Sequence, residues 1–359
     1  MLDFLNNWLA NGGFWVAIPL IIVGCAALIK GADFLVDGAS ALAKKYGVSD
    51  IVIGLTVVAF GTSMPEFVVN MVAVGQGSTE IAITNVLGSN IINIFVILGF
   101  TALIYPISSQ KSTRRFDIPF SLLAALLVLL FAVYNSPSWL QIEHIFNMNI
   151  ADPTLSDLGS IQIGQGNGGF ISGVGGSILL IFFLIFLWHN FKGIGSAPQT
   201  ESNEEYKTMS ARRALALIIG GLVGLVVGGE VIVKSATSIA QSLGVSDAII
   251  GLTVVALGTS LPELATSCMA AFKKNCDIAL GNVIGSNLFN IFFILGTSAC
   301  VKALPGYHGL EIDAMMAALG SVFVMLFVYL TKKHEIKRWH GAILLLTYAA
   351  YLTYRVITL

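Results

Sequence analysis

The chain has 359 residues, of which 56% are hydrophobic and 11% charged, with a formal net charge of −1 and a mean hydropathy of +0.84. A composition this apolar excludes a soluble globular protein and leaves a polytopic, all-α integral membrane protein. The net charge says nothing about partners, the lipid bilayer is the expected surrounding, and no nucleic acid is expected.

Ten apolar segments are long enough to cross about 30 Å of hydrocarbon at roughly 20 residues each. They centre on residues 14–43, 50–73, 80–105, 117–135, 170–189, 211–240, 247–271, 278–302, 312–331 and 339–358. Ahead of them, residues 1–11 hold Asp3 but no Lys or Arg, so the basic start of a cleaved signal peptide is missing and the first segment is expected to stay in the mature protein. That segment carries Lys30, Asp33 and Asp37, and the sixth carries Glu230 and Lys234, at the spacing of intrahelical ion pairs that neutralise each other.

The second segment reads GLTVVAFGTSMPEFVVN over residues 54–70, placing Glu66, the two adjacent hydroxyls of Thr62 and Ser63, and Pro65 inside an apolar run. The third contributes Gly88, Ser89, Asn90 and Asn93. The connection 135–169 is rich in Gly, Asn, Asp and Ser. Its Glu143, His144, Asp152 and Asp157 read as a solvated loop rather than a cation trap. Residues 190–210 are polar and form the one plausible linker, dividing the chain into halves of five segments, 1–195 and 196–359. The sixth segment holds Gly220, Gly221, Gly224, Gly228 and Gly229, a mark of close helix contact that suits a sliding surface or ordinary small-residue packing. In the seventh, residues 251–267 read GLTVVALGTSLPELATS: Gly61, Thr62, Ser63, Pro65 and Glu66 recur 197 residues later as Gly258, Thr259, Ser260, Pro262 and Glu263. The same displacement carries Ser89 and Asn93 onto Ser286 and Asn290, so motif 54–93 returns as 251–290. Cys25, Cys268, Cys276 and Cys300 are scattered and read as free thiols.

The residue chemistry of the repeated motif points to a cation. An ionised side chain in mid-membrane costs at least about 2.5–3.5 kcal/mol, so it faces a cavity and a partner. No Lys or Arg lies within two helical turns of Glu66 or Glu263, which leaves an ion from solution as that partner. Pro65 and Pro262 lack an N–H and crowd the carbonyl four residues back, freeing backbone oxygens of Gly61, Thr62, Gly258 and Thr259. Three- and four-residue spacing puts hydroxyl, carbonyl and carboxylate oxygens on one helical face. Such donors, without a Cys or His cluster, suit Ca²⁺ or Na⁺ rather than Zn²⁺ or Cu²⁺.

With an external N-terminus, the inner loops hold Lys44, Lys45, Lys111, Arg114, Arg115, Lys192, Lys207, Arg212, Arg213, Lys273, Lys274, Lys332, Lys333, Lys337 and Arg338, fifteen of nineteen basic residues. Lys302 and Arg355 fall outside. This asymmetry sets both termini external in the cell (inner) membrane. Five segments per half, an odd number, turns the second half upside down relative to the first. The loops agree: Lys44 and Lys45 map onto Gln241 and Ser242, while Gln76 and Gly77 map onto Lys273 and Lys274. Two inverted-topology repeats with interrupted segments in matching positions mark an alternating-access transporter with its site near the midplane.

GLTVVAFGTSMPE and GLTVVALGTSLPE, each followed by a GSNxxN segment, resemble the two α-repeats of the cation/Ca²⁺ antiporter superfamily, specifically its prokaryotic sodium/calcium exchanger branch. The likeness also takes in GADFLVDGASALAKKYGVSD of the first segment and the ten-helix plan. It implies that Glu66 and Glu263 are shared Ca²⁺ and Na⁺ ligands, that Thr62 and Thr259 add hydroxyl or backbone oxygens, and that Ala59 and Ala256 add carbonyls. It further implies Na⁺ positions completed by Ser63 with Ser89 and by Ser260 with Ser286, and a centre bordered by Asn93 and Asn290. Some relatives carry an aspartate where this chain has Asn290, so K⁺ co-transport is not implied here.

A structural glutamate bonded between helices is the plain alternative for either carboxylate. Interhelical hydrogen bonding is the alternative for Ser89, Ser286, Asn93 and Asn290, and the favoured reading of Asn85 and Asn282. Na⁺-driven Ca²⁺ exchange is the leading expectation, because the repeated hydroxyls supply neutral oxygens that Na⁺ needs and a proton does not. H⁺/Ca²⁺ antiport stands next, and a passive cation channel last. No enzyme chemistry and no cofactor are expected.

Overall fold

A computed structural model of the chain describes residues 3–134, 171–192, 209–243, 256–307 and 309–358. The polar connection 135–169, most of the linker 190–210 and the start of the seventh segment, residues 247–255, lie outside the described residues.

In hydrocarbon the backbone must satisfy its own hydrogen bonds, and the apolar segments accordingly form helices. α1 (Asp3–Tyr46) is a single long helix. The second segment is broken. α2 (Asp50–Ile53) widens into a π turn over Gly54–Val58, narrows to α3 (Ala59–Thr62), stops at Ser63, and restarts as α4 (Met64–Gly75) with Pro65 in the first turn. The two parts are bent by 45°. α5 (Thr79–Ile92) also opens into a π turn, Asn93–Leu98, before α6 (Gly99–Ile104). After the short strand β1 (Ile107–Ser108) come α7 (Lys111–Arg115), α8 (Asp117–Tyr134), α9 (Gly173–Lys192) and α10 (Ala211–Ser242).

The described part of the second half repeats the breaks. α11 (Ala256–Thr259) stops at Ser260 and α12 (Leu261–Phe272) restarts with Pro262 in its first turn. α13 (Cys276–Leu288) leads through a π turn, Phe289–Leu295, into α14 (Gly296–Val301). α15 (Leu310–Leu330), β2 (Glu335–Ile336) and α16 (Arg338–Thr358) complete the chain. The turn that follows each broken helix has a left-handed residue at the matching place, Gly77 at φ 84° and Lys274 at φ 55°.

Among the described residues, seven helices are long and apolar enough to cross a membrane, or eight with the bent pair Asp50–Thr62 and Met64–Gly75. The seventh expected segment is described only from Ala256, and α16 carries Arg338, His340 and Arg355, so neither meets that measure. The most apolar stretches of Thr79–Ile104 and Cys276–Val301 are 78% and 94% buried, against 28% for α1 and α10. The two π-turn segments therefore form the centre of the bundle, and α1 and α10 lie at its edge.

Glycine sets how closely these helices approach. A Cβ on Gly31 would lie 2.7 Å from the Gly221 carbonyl, and one on Gly228 would lie 2.7 Å from the Gly24 carbonyl. Gly38 meets the Ala214 carbonyl in the same way, so α1 and α10 run antiparallel with their backbones touching along the contact. In the centre, a Cβ on Gly285 would come within 2.6 Å of the Leu55 carbonyl. The strands β1 and β2 pair Ile107 with Ile336, and an isolated bridge pairs Ile171 with Leu304.

The sequence expectation for α1 needs a correction. Lys30 does approach Asp33, at 3.7 Å on an exposed surface, but the close partner of both acids is Lys273, just after α12. Its ammonium lies 2.6 Å from Asp33 and 2.5 Å from Asp37. An interhelical partner far along the chain cannot be read from spacing within one helix. Glu230 and Lys234 do form the expected pair within α10, at 3.2 Å. The four cysteines are free.

Candidate cation site

Both broken helices stop at a serine of nearly identical conformation, Ser63 at φ −85°, ψ 6° and Ser260 at φ −89°, ψ 5°. Each break sits one turn before a buried glutamate. Glu66 is fully buried and Glu263 is 1% exposed, and they lie near enough to repel each other electrostatically. Proline makes the break: Pro65 and Pro262 have no N–H to continue the preceding turn. The helix resumes only when Phe67 and Leu264 donate back to the carbonyls of Ser63 and Ser260, at 3.1 and 3.0 Å.

The halves meet through these residues. The Ser63 hydroxyl donates to Glu263 Oε1 at 2.8 Å, and Ser286 reaches the same oxygen at 3.5 Å. The Thr62 hydroxyl donates to Asn282 Oδ1 at 3.1 Å. Opposite them, the hydroxyls of Thr259 and Ser260 stand near Glu66 without completing a hydrogen bond. Ala59 is buried, and its carbonyl accepts from the Ser63 N–H at 3.0 Å and more distantly from Thr62 at 3.3 Å. Ala256 begins α11, and Ser89 is buried in α5.

Four asparagines close the centre by an exchange between halves. Asn90 Nδ2 donates to the Asn287 carbonyl and Asn287 Nδ2 to the Asn90 carbonyl, both at 3.4 Å. Asn93 donates to Asn287 Oδ1 at 3.0 Å, and Asn290 donates to Asn90 Oδ1 at 3.1 Å. The amide oxygens of Asn93 and Asn290 are left over. Asn90 and Asn287 were visible in the repeated GSN motif, but only their mutual bonds reveal them as the brace that orients Asn93 and Asn290. Asn85 and Asn282 also brace: Asn85 donates to Asn70 Oδ1 at 2.7 Å and the Glu66 carbonyl at 3.5 Å, Asn282 to Ser267 Oγ at 2.9 Å and the Glu263 carbonyl at 3.3 Å.

Among the described residues, eleven buried side-chain atoms lack a hydrogen-bond partner, all of them oxygens. Seven belong to the candidate residues: both of Glu66, one each of Glu263, Asn93, Asn290, Thr259 and Ser260. Buried polar atoms are ordinarily paired, since leaving one unmade costs about 1–3 kcal/mol. Three of the seven are oxygens of the two carboxylates, neither carboxylate is bonded to an ammonium or guanidinium among the described residues, and oxygens of these types are the donors that hard cations take. No cluster of three or more His, Cys, Asp or Glu occurs among the described residues, so the charge here is that of a carboxylate pair.

The family model described as sodium/calcium exchanger protein matches residues 16–192 and 213–357. The chain is 34% identical over 342 residues to a putative antiporter, CaxA, of Alkalimonas amylolytica, covering 94% of this chain and 97% of that one. It is 33% identical to the sodium/calcium exchanger MaX1 of Methanosarcina acetivorans, covering 93% of this chain and 96% of that one. A solved structure of the sodium-calcium exchanger NCX_Mj, soaked with 10 mM Na⁺ and zero Ca²⁺, superposes with a TM-score of 0.74 at 30% identity over 94% of this chain and 98% of that one.

Proposed function

This chain belongs to the sodium/calcium exchanger protein family, a family of membrane transporters rather than enzymes, and on that premise we propose that it exchanges Ca²⁺ for Na⁺ by alternating access around Glu66 and Glu263. The observation that carries the reading is the set of seven unpaired buried oxygens on the repeated motif residues of both halves, three of them on the two carboxylates. Ca²⁺ balances the two carboxylates. Na⁺, with half the charge, uses the neutral oxygens of Thr62, Thr259, Ser63, Ser260, Ser89, Ser286, Asn93, Asn290, Ala59 and Ala256 as well.

The ten-helix plan of two inverted repeats, 1–195 and 196–359, is part of this proposal. It is supported by contacts that survive exchange of the halves. Ile107 pairs with Ile336 and Leu304 with Ile171: Leu304 stands 197 residues after Ile107, and Ile336 stands 165 after Ile171. Gly99 and Gly341 touch as Gly296 and Gly176 do, with the same two displacements. The external termini and cell-membrane location follow from the basic inner loops.

The test is ⁴⁵Ca²⁺ uptake into proteoliposomes under imposed Na⁺, H⁺ or K⁺ gradients. A loaded Ca²⁺ neutralises the pair, whereas three Na⁺, the number implied by the resemblance, leave one positive charge. Each cycle then moves one charge, worth about 2.3 kcal/mol per 100 mV. Flux driven by Na⁺ and changed by a valinomycin potential, under two K⁺ conditions, is the expected result. Flux that needs a pH gradient and ignores both Na⁺ and voltage would establish H⁺/Ca²⁺ antiport instead.

A further inference from the structure

Asn282 lies outside the two glutamate-bearing stretches 54–70 and 251–267, yet it touches both halves of the site, and it is fully buried. Its amide nitrogen donates to Ser267 Oγ at 2.9 Å and to the Glu263 carbonyl at 3.3 Å. A backbone carbonyl can only accept, so the nitrogen must face Glu263 and the amide oxygen must face Thr62, 3.1 Å away. A hydroxyl has one proton and two lone pairs, and it coordinates a cation only when the proton is directed elsewhere. The Thr62 proton has two acceptors in reach, Asn282 Oδ1 at 3.1 Å and the Ala59 carbonyl at 3.3 Å. The Ala59 carbonyl already accepts the Ser63 N–H at 3.0 Å. If it also took the Thr62 proton, both of its lone pairs would be engaged.

We propose that Asn282 is a positioning residue for Na⁺: by drawing the Thr62 proton, it turns the Thr62 hydroxyl oxygen and the second lone pair of the Ala59 carbonyl toward the ion. The inference rests on the exchange reading above. It concerns Na⁺ more than Ca²⁺, because a divalent ion held by two carboxylates depends less on two neutral oxygens. Asn282 touches no ion in this account and acts through its neighbours. Asn85, which holds the Glu66 carbonyl as Asn282 holds that of Glu263, shows that bracing the glutamate is a duty common to both halves. The bond to a threonine hydroxyl is the additional feature at Asn282.

The experiment compares wild type, N282L, T62V and the double variant in proteoliposomes, reading the Na⁺ concentration for half-maximal Ca²⁺ efflux and, separately, Ca²⁺/Ca²⁺ exchange without Na⁺. Loss of one oriented ligand pair is expected to raise the Na⁺ requirement of N282L about three- to tenfold, the equivalent of one hydrogen bond. N85L, which removes the matching brace of the Glu66 carbonyl, is run in parallel: Ca²⁺/Ca²⁺ exchange in N282L should fall no further than in N85L, and the part of the N282L shift in Na⁺ requirement beyond that of N85L should vanish in the T62V background, because that part acts through one hydroxyl. The Na⁺ concentration that half-maximally raises the melting temperature of purified protein gives the same comparison without transport, and N282S serves in place of N282L if leucine prevents folding. An equal shift in the T62V background, or no shift beyond that of N85L, overturns the assignment of Asn282. Wild-type flux indifferent to Na⁺ instead sinks the exchange reading on which the assignment rests.

Discussion

Ser63 and Ser260 share a backbone conformation to within a few degrees, yet only Ser63 completes a bond across the site, to Glu263. Glu66 has neither oxygen paired, while Glu263 has one. The carboxylates are therefore related in sequence but unequal in surroundings. Glu66 supplies two free oxygens, and Glu263 supplies one while holding the halves together through Ser63. Glu66→Gln and Glu263→Gln are each expected to reduce Ca²⁺ uptake to background, because a single carboxylate leaves a divalent charge half-balanced. The purified variants should remain folded by size-exclusion chromatography, since an amide of the same shape removes a buried charge. Wild-type uptake by either variant would remove that glutamate from the site. Asn290→Asp is expected to keep Ca²⁺ transport while changing which monovalent ions support it. The new carboxylate replaces an amide whose oxygen is free but whose nitrogen bonds Asn90. Uptake measured in Na⁺, K⁺ and mixed media checks this.

At the scale of elements, glycine decides the packing. A β-branched side chain at Gly31 or Gly285 would drive a methyl-bearing carbon into a backbone carbonyl, which cannot move aside as a side-chain tip can. Overpacking of this kind costs typically about 1–3 kcal/mol. Gly31→Val and Gly285→Val should therefore lower the melting temperature in detergent, whereas Gly220→Ala, with open space where its Cβ would lie, should leave it unchanged. Equal melting temperatures in all three would contradict the close approach. Much of this was legible in sequence: the proline, the hydroxyls and the glutamate recur at one displacement, and proline in a helix interior has few structural outcomes. The π turns were not legible, since Gly54–Val58 and Asn93–Leu98, GLTVV and NIFVIL, hold no proline and no residue pattern that sets them apart from the helical turns beside them. Nor was the second displacement of 165 residues. The connection 135–169 lengthens the first half, so residues after it lose the register that made the motifs visible. The bond from Thr62 to Asn282 joins positions 220 residues apart and leaves no local trace.

At the scale of the whole molecule, symmetry fails at one rim. Lys273 holds Asp33 and Asp37 of α1, but the corresponding residues of the other half are Gln76, Glu230 and Lys234, and there the two charges bond each other along one helix. Burial pulls the Lys273 ammonium down, and its bonds to Asp33 and Asp37 outweigh that and hold it above the usual lysine value. A raised lysine stays charged at every pH below its ordinary value of about 10.4, so the ammonium keeps its side of the contact at neutral pH and gives it up as pH rises beyond that range. A carrier with identical ends would idle equally with its mouth open to either side. If the chain works by alternating access as proposed, the contacts of Lys273 to Asp33 and Asp37 at this rim, replaced at the matching place by the intrahelical Glu230–Lys234 pair, are expected to favour one of the two open states. Lys273→Gln is expected to shift by severalfold the ratio of Ca²⁺ affinities measured from the two faces of oriented vesicles, while Lys30→Gln, on the exposed 3.7 Å pair, leaves it unchanged. An unaltered ratio in Lys273→Gln would mean that the rim plays no part. A shifted ratio would instead make the place where the carrier rests between cycles a property of Lys273, Asp33 and Asp37, three side chains outside the cation site.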